Sequence, residues 1–326
     1  MTHKLELEKK FKKARKPRAR WFLYSFITLL VFFSAAAGFI VPIASRFALL
    51  EVFLMLTPTS NLISEMNVLI IGVDSVNGTH RSDTIMVAHI SPVDKDAKLV
   101  SIPRDTLVLI PGRGLDKINH AFAYGGAELS RAAAAKLLNI DIPYYIEVNV
   151  SGLANIIDKL GGITIDVEKR MYYVDYAGGL FVDLKPGRQL LNGKDAVGYV
   201  RFRHDGEGDI GRIKRQQKFI SALANEFSDK SNLLKSPGLI LSLFSDISTN
   251  FNLKEILGVA LSVRQSYDLG RIEMASIPGK DLMIDNIYYW KPDYEATQKI
   301  VNEFFRSAEK RSAESSDTMN RSSTYY

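Results

Sequence analysis

Two short stretches, NVLIIGVDS (67–75) and RSDTIMVAHI (81–90), each join a run of apolar residues to charged ones. Asp74 follows LIIGV at the carboxyl end of a predicted strand, where open α/β sheets place their ligands. Asp83 stands near the start of the next predicted strand with Arg81 two residues before it, and Arg104 and Asp105 end the run LVSIP in the same manner. Two carboxylates with guanidiniums beside them suit one task. The carboxylates hold a hard divalent cation such as Mg²⁺, with Mn²⁺ as a substitute, and the arginines hold the phosphate oxygens that complete its coordination. Each aspartate taken alone also fits a turn cap or a surface ion pair.

The stretch YVRFRHDGEGDIGRIKRQQ (199–217) strengthens the phosphate reading. Arg201 and Arg203 fall on a predicted strand two residues apart, so their side chains share a face. Adjacent guanidiniums repel unless an anion lies between them, and a pyrophosphate is such an anion. Beyond a glycine-containing loop, Asp209, Arg212, Arg215, Gln216 and Gln217 open a predicted helix whose first N–H groups also favour an anion. A solvated basic helix face is the other reading of that turn. His80, His120 and His204 each lie near a motif, but nothing in their spacing requires a transition-metal site.

The elements that must position these residues have the texture of an α/β domain. NVLIIGV, TIMVAHI, KLVSIPR, YYIEVNV and ITIDV are short and rich in β-branched residues, as strands are. Helical spacing marks 126–139, 150–162 with its terminal Gly pair, and 209–227; more helix is predicted within 236–265, and RIEMASIPG (271–279) reads as a late strand. The expected fold is a three-layer α/β/α sandwich with a mixed central sheet over 67–310, followed by a polar, Ser-rich tail at 311–326 predicted to be disordered.

The formal charge of +6 is a local feature, because residues 1–20 carry nine Lys or Arg against two Glu. The rest of the chain is close to neutral, which argues against a nucleic-acid surface. Trp21 to Ser45 holds no charged residue and exceeds the roughly 20 apolar residues that a membrane helix needs. Trp21 and Tyr24 sit beside the basic cluster as interfacial anchors do. A single-pass anchor is therefore expected at 21–45, with 1–20 cytoplasmic, 46–66 running along the membrane lipid, and the domain outside the cell. Cysteine is absent, which excludes disulfides and thiolate metal sites.

NVLIIGVDS, RSDTIMVAHI, SIPRDT, DKINHAFAYGG, IDKLGGITIDV, PGRQLLNGKDAVGYVRFRHD and DIGRIKRQQ occur in the order found in the LytR-CpsA-Psr family of cell-envelope proteins, which the chain resembles from about Asn67 to Gly279. The resemblance implies an α/β/α domain on the outer membrane face that transfers a glycopolymer, such as a teichoic acid or a capsular polysaccharide, from a polyprenyl (pyro)phosphate carrier to peptidoglycan. It implies Asp74 and Asp83 as Mg²⁺ ligands and Arg81, Arg104, Arg201, Arg203 and Gln217 as pyrophosphate-binding residues, with Arg212, Arg215 and Lys117 as further candidates. Arg81 and Arg104 would also stabilise the charge that develops as the phosphate bond breaks, and Asp105 or Asp209 would take the acceptor's proton. The polyprenyl chain needs a long apolar groove, for which helices around 126–160 and 219–261 are the expected lining. A domain that binds such lipids or anionic polymers without turnover, acting as an envelope regulator or attenuator, is the alternative.

The charge asymmetry about residues 21–45 generates a topological expectation. An alkaline phosphatase fused after residue 320 is active outside the cell, and one fused at residue 15 is not; activity of the residue 15 fusion reverses the orientation.

Overall fold

The computed structural model describes residues 62–76, 79–176, 179–204, 206, 208–228, 242–243 and 245–305. The expected anchor at 21–45, the segments 1–20 and 46–61, and the tail at 311–326 lie outside the described residues. Among the described residues no helix is long and apolar enough to cross a membrane.

In chain order the elements begin with β1 (Met66–Val76), β2 (Thr79–Ser91) and β3 (Asp96–Ser101), then the pair β4 (Leu107–Ile110) and β5 (Gly114–Lys117). Helix α1 (Ile118–Leu138), β6 (Tyr144–Asn149), α2 (Val150–Leu160) and β7 (Ile163–Val167) follow. Next come β8 (Met171–Asp175), β9 (Leu180–Leu184), β10 (Gly187–Leu191), α3 (Gly193–Arg201) and α4 (Gly208–Ser228). The chain closes with β11 (Ser248–Thr249), α5 (Leu253–Asp268), β12 (Ile272–Ser276), β13 (Gly279–Ile284), β14 (Ile287–Pro292) and α6 (Tyr294–Phe304).

The central sheet has the order β11-β6-β1-β2-β3-β12 and is mixed: β1 runs parallel to β6 and antiparallel to β2, while β3 runs parallel to β12. Its strands are apolar on both sides, so alternate residues enter different cores. Leu69, Ile71, Val73, Ile85, Val87 and Val100 pack in one cluster with residues of α1 and α6. Met86, Ala88 and Leu99 face the other way and meet Ile220 of α4, and Val68 and Ile90 meet Val259 of α5. Helices thus cover both faces, as the sequence predicts.

Helix ends follow local chemistry. The Asn149 side chain accepts a hydrogen bond from Gly152 N at the start of α2, and Gly161, with φ of 84°, closes it where the Gly pair predicts an end. Asn252 and Glu255 form a reciprocal capping box on α5. The predicted helix at 126–139 is the second half of α1, whose backbone leaves helical geometry at Gly125 and Gly126. One expectation is corrected. YVRFR is not a strand: Tyr199 to Arg201 end α3, and Phe202 to His204 follow without regular structure. Ala196 to Val200 are all buried, an unbroken apolar run that suits a buried helix segment as well as a strand. The Asn192 side chain caps the start by accepting from Asp195 N. The β-branched and aromatic residues that suggested a strand are the helix's core side.

Candidate functional site

The two aspartates come from adjacent strands, and their placement depends on a bulge. Gly72 pairs with Thr84 and Val73 with Ser82, so Asp83 is the extra residue on β2 with no partner on β1. Strict alternation would put Asp83 on the opposite face from Thr84, in the layer of Ile85. The inserted residue breaks that alternation, and Asp83 and Thr84 line the same cavities as Asp74. Gly72 suits this tight spot, since a Cβ there would stand 2.9 Å from Thr84 Cβ. Asp74 lies within β1 rather than after it, because β1 and β2 extend as a pair past both aspartates.

The arginines reach the carboxylates from elsewhere in the chain. Arg104, in the turn after β3, donates from Nη1 to Asp83 Oδ1, and Arg201, the last residue of α3, pairs with Asp74 Oδ2 at 2.5 Å. Arg203 shares the polar cavity wall with Arg201 although no strand joins them. Between them Phe202 is buried, and its carbonyl accepts a 2.5 Å hydrogen bond from the buried Arg215. Arg215 also lies 3.6 Å from Glu168, and the Tyr199 hydroxyl donates to Glu168 at 3.1 Å. Burial first, then the Glu168 charge, pushes the Tyr199 phenol well above its ordinary pKa and keeps it a donor. Arg215 therefore holds the loop that presents Arg201 and Arg203.

Two adjoining cavities share this rim. One, of about 360 Å³, is overwhelmingly apolar and is lined by residues including Ile70, Met86, Val148, Leu153, Phe219 and Val259. Its helical walls are α2, α3, α4 and α5; within the two predicted stretches, the 126–139 segment takes no part and the α2, α4 and α5 segments do. The other, of about 190 Å³, is polar and is lined by Asp74, Asp83, Arg104, Arg201, Arg203 and Arg212, with Thr84, Val200, Gln216, Tyr173, Asp175, Leu180 and His204. Asp74, Asp83, Thr84, Val200, Arg201 and Gln216 belong to both.

Other residues singled out in the sequence stand apart. Asp105 receives Lys117 Nζ at 2.8 Å and faces Arg104 Nε at 3.4 Å, so Asp105 and Lys117 sit behind Arg104 rather than in the cavity wall. Gln217 donates to Ser101 Oγ at 3.2 Å and to the Ala275 carbonyl at 3.1 Å, away from the cavity. Gln216 occupies the wall instead and donates to Thr84 Oγ1 at 2.7 Å. One residue along a helix is a rotation of about 100°, which decides between neighbours that look alike in sequence. Arg81 faces Asp74 in the strand register and Asp209 lies in the first turn of α4; their side chains fall outside what the structure describes.

The polar wall can also be tested for a metal. Among the described residues no group of three or more His, Cys, Asp or Glu is arranged to hold an ion. Two carboxylates facing one cavity are still the donor set that Mg²⁺ commonly takes from a protein when substrate phosphates and water supply the rest. Asp74 and Asp83 fit that ion, with each held in place by an arginine.

Residues 57–306 match the LytR_cpsA_psr family. The chain is similar to the polyisoprenyl-teichoic acid–peptidoglycan teichoic acid transferase TagU of Bacillus subtilis, 32% identical over 249 residues, which covers 75% of this chain and 78% of TagU. It is similar also to the regulatory protein MsrR of Staphylococcus aureus, 38% identical over 201 residues, 61% of this chain and 60% of MsrR. The crystal structure of B. subtilis TagV superposes with a TM-score of 0.66 at 29% identity, covering 74% of this chain and 98% of TagV.

The two glutamines separate binding from packing. Gln216→Ala removes a donor from the cavity wall and is expected to weaken inorganic pyrophosphate binding roughly tenfold by calorimetry. Gln217→Ala is expected to leave that affinity within about twofold and to lower stability by about 1 kcal/mol in urea unfolding. The reverse pattern places the ligand on the other side of α4.

Proposed function

The chain belongs to the LytR-CpsA-Psr family, and from that premise we propose that it is a membrane-anchored phosphotransferase moving a glycopolymer of teichoic acid or capsular type from a polyprenyl pyrophosphate carrier to a peptidoglycan sugar hydroxyl. The observation that carries this reading is the shared rim: Asp74, Asp83 and Arg201 stand where an apolar cavity meets a polar one. A polyprenyl pyrophosphate has the same order of parts, an apolar chain, a charged centre and a polar saccharide. The name of TagU, a relative, joins polyisoprenyl-teichoic acid to peptidoglycan. Residues 21–45 supply the anchor in this proposal, which keeps the domain close to a carrier that stays in the membrane.

In the proposed reaction the acceptor hydroxyl attacks the sugar-proximal phosphorus and loses its proton to solvent water, since Asp105 is held by Lys117 and Arg104 behind the wall. The bond from that phosphorus to the bridging oxygen breaks, the polymer leaves as a phosphodiester on the wall sugar, and the carrier leaves as polyprenyl phosphate. Arg104 and Arg201 lie beside the carboxylates and offer planar, two-pronged donors to the phosphate oxygens. Arg203 and Arg212 extend the positive wall toward the saccharide side. These fixed cations stabilise the negative charge that gathers on the bridging oxygen as it leaves. Asp105, held by Lys117, keeps Arg104 oriented. Bound at Asp74 and Asp83, Mg²⁺ would neutralise pyrophosphate charge as a Lewis acid.

The name of MsrR favours a second reading, a regulator that binds the same lipid without turning it over. Carboxylates at the centre of an anion site distinguish the two, because a pure anion binder gains nothing from them.

Asp74→Asn and Asp83→Asn each remove charge with little change in volume. Each is expected to lower Mg²⁺-dependent transfer by on the order of 100-fold and to lower the unfolding temperature as well, because each breaks an ion pair with a part-buried arginine while leaving the fold intact. Undiminished transfer by both variants in EDTA contradicts the metal assignment.

A further inference from the structure

The polar cavity has a second wall that the phosphate chemistry does not use. Strand β8 alternates, so Met171, Tyr173 and Asp175 share one face; Met171 is buried in the core, and Tyr173 and Asp175 line the cavity. The other face carries Tyr172, which is exposed. Asp175 pairs in register with Leu180 of β9, which lines the same cavity. His204, one residue beyond Arg203, stacks on Tyr173 with ring centroids 3.7 Å apart and planes 23° from parallel. The lining thus adds two stacked rings, a carboxylate and a leucine to the cavity's arginines and aspartates.

We propose that Tyr173 and His204 form the surface against which the first sugar of the donor polymer packs, so that the β8–β9 pair sets which saccharide the protein accepts. The inference rests on the carrier reading given above. If the lipid fills the apolar cavity and the pyrophosphate sits at the shared rim, the sugar must enter the remaining space, which this wall bounds. The wall's chemistry suits a pyranose. Aromatic faces carry negative potential and attract the slightly positive C–H edges of a sugar ring. The imidazole and the Asp175 carboxylate offer the directional partners that hydroxyl or acetamido groups require. Stacking fixes both rings before the ligand arrives, so less side-chain entropy is lost on binding. Arg203 lies in the chain next to His204, which ties the sugar wall to the pyrophosphate wall.

The test compares two probes on the full chain in detergent with Mg²⁺: bare polyprenyl pyrophosphate, and the same lipid carrying one N-acetylhexosamine, each titrated by calorimetry. The parent is expected to bind the sugar-bearing lipid roughly tenfold more tightly. Tyr173→Ala and His204→Ala should abolish that gain while leaving bare-lipid affinity within about twofold, and Tyr173→Phe, which keeps the ring, should retain most of it. Equal parent affinity for the two lipids overturns the inference and leaves the carrier reading intact. So do variants that keep the gain, or that weaken both lipids alike. If the parent binds neither lipid, the carrier reading fails and takes this inference with it.

Discussion

Carboxylates at the edge of an apolar cavity have to be neutralised, and the site is organised around that requirement. An ionised aspartate facing apolar side chains loses hydration and recovers it only from a close cation or from hydrogen bonds. Asp74 takes Arg201 and Asp83 takes Arg104. One pair ties the bulge of β2 to the turn after β3, and the other ties β1 to the end of α3, which is far from it in the chain. Removing either arginine would leave a half-buried charge, so the scaffold and the site share the same contacts. Behind the pairs, Lys117 and Asp105 brace Arg104, and Arg215 braces the loop of Arg201 and Arg203.

Much of this arrangement was legible in the sequence where it depends on local pattern. The apolar runs around LIIGV and TIMVAHI announce strands, the Gly pair after α2 announces a helix end, and Asp74, Asp83, Arg104, Arg201 and Arg203 stand together in one cavity wall. What was not legible depends on tertiary context. A bulge at Asp83 leaves no mark in composition, because its register is set by the partner strand. AVGYV reads equally as a strand or as the buried face of a helix, and the Asn192 cap is the local feature that favours the helix. Gln216 and Gln217 differ by one helical step, and only the packing of α4 says which faces the cavity. Tyr173 sits in a short strand whose inward face is visible only once β9 and His204 are placed against it.

The joined cavities give the fold its functional sense. Helices α2, α4 and α5 are amphipathic for an ordinary reason, to cover a sheet, yet where they meet they leave an apolar space that opens onto charge. In the proposed function that space takes the apolar chain of the carrier, and the charged rim takes its phosphates. All four arginines line the polar cavity, and among them Arg201 also lines the apolar one.

The most direct measurement is the identity of the lipid that remains after turnover. Purified full-length protein in detergent is incubated with Mg²⁺, a polyprenyl-pyrophosphate-linked oligosaccharide and peptidoglycan, and the lipid fraction is read by mass spectrometry. Attack at the sugar-proximal phosphorus predicts polyprenyl monophosphate, formed in step with a phosphodiester on the wall. Recovery of polyprenyl pyrophosphate would mean that a sugar bond breaks instead, and recovery of the intact lipid-linked saccharide would mean that the domain binds its carrier without transfer. Either result contradicts the account.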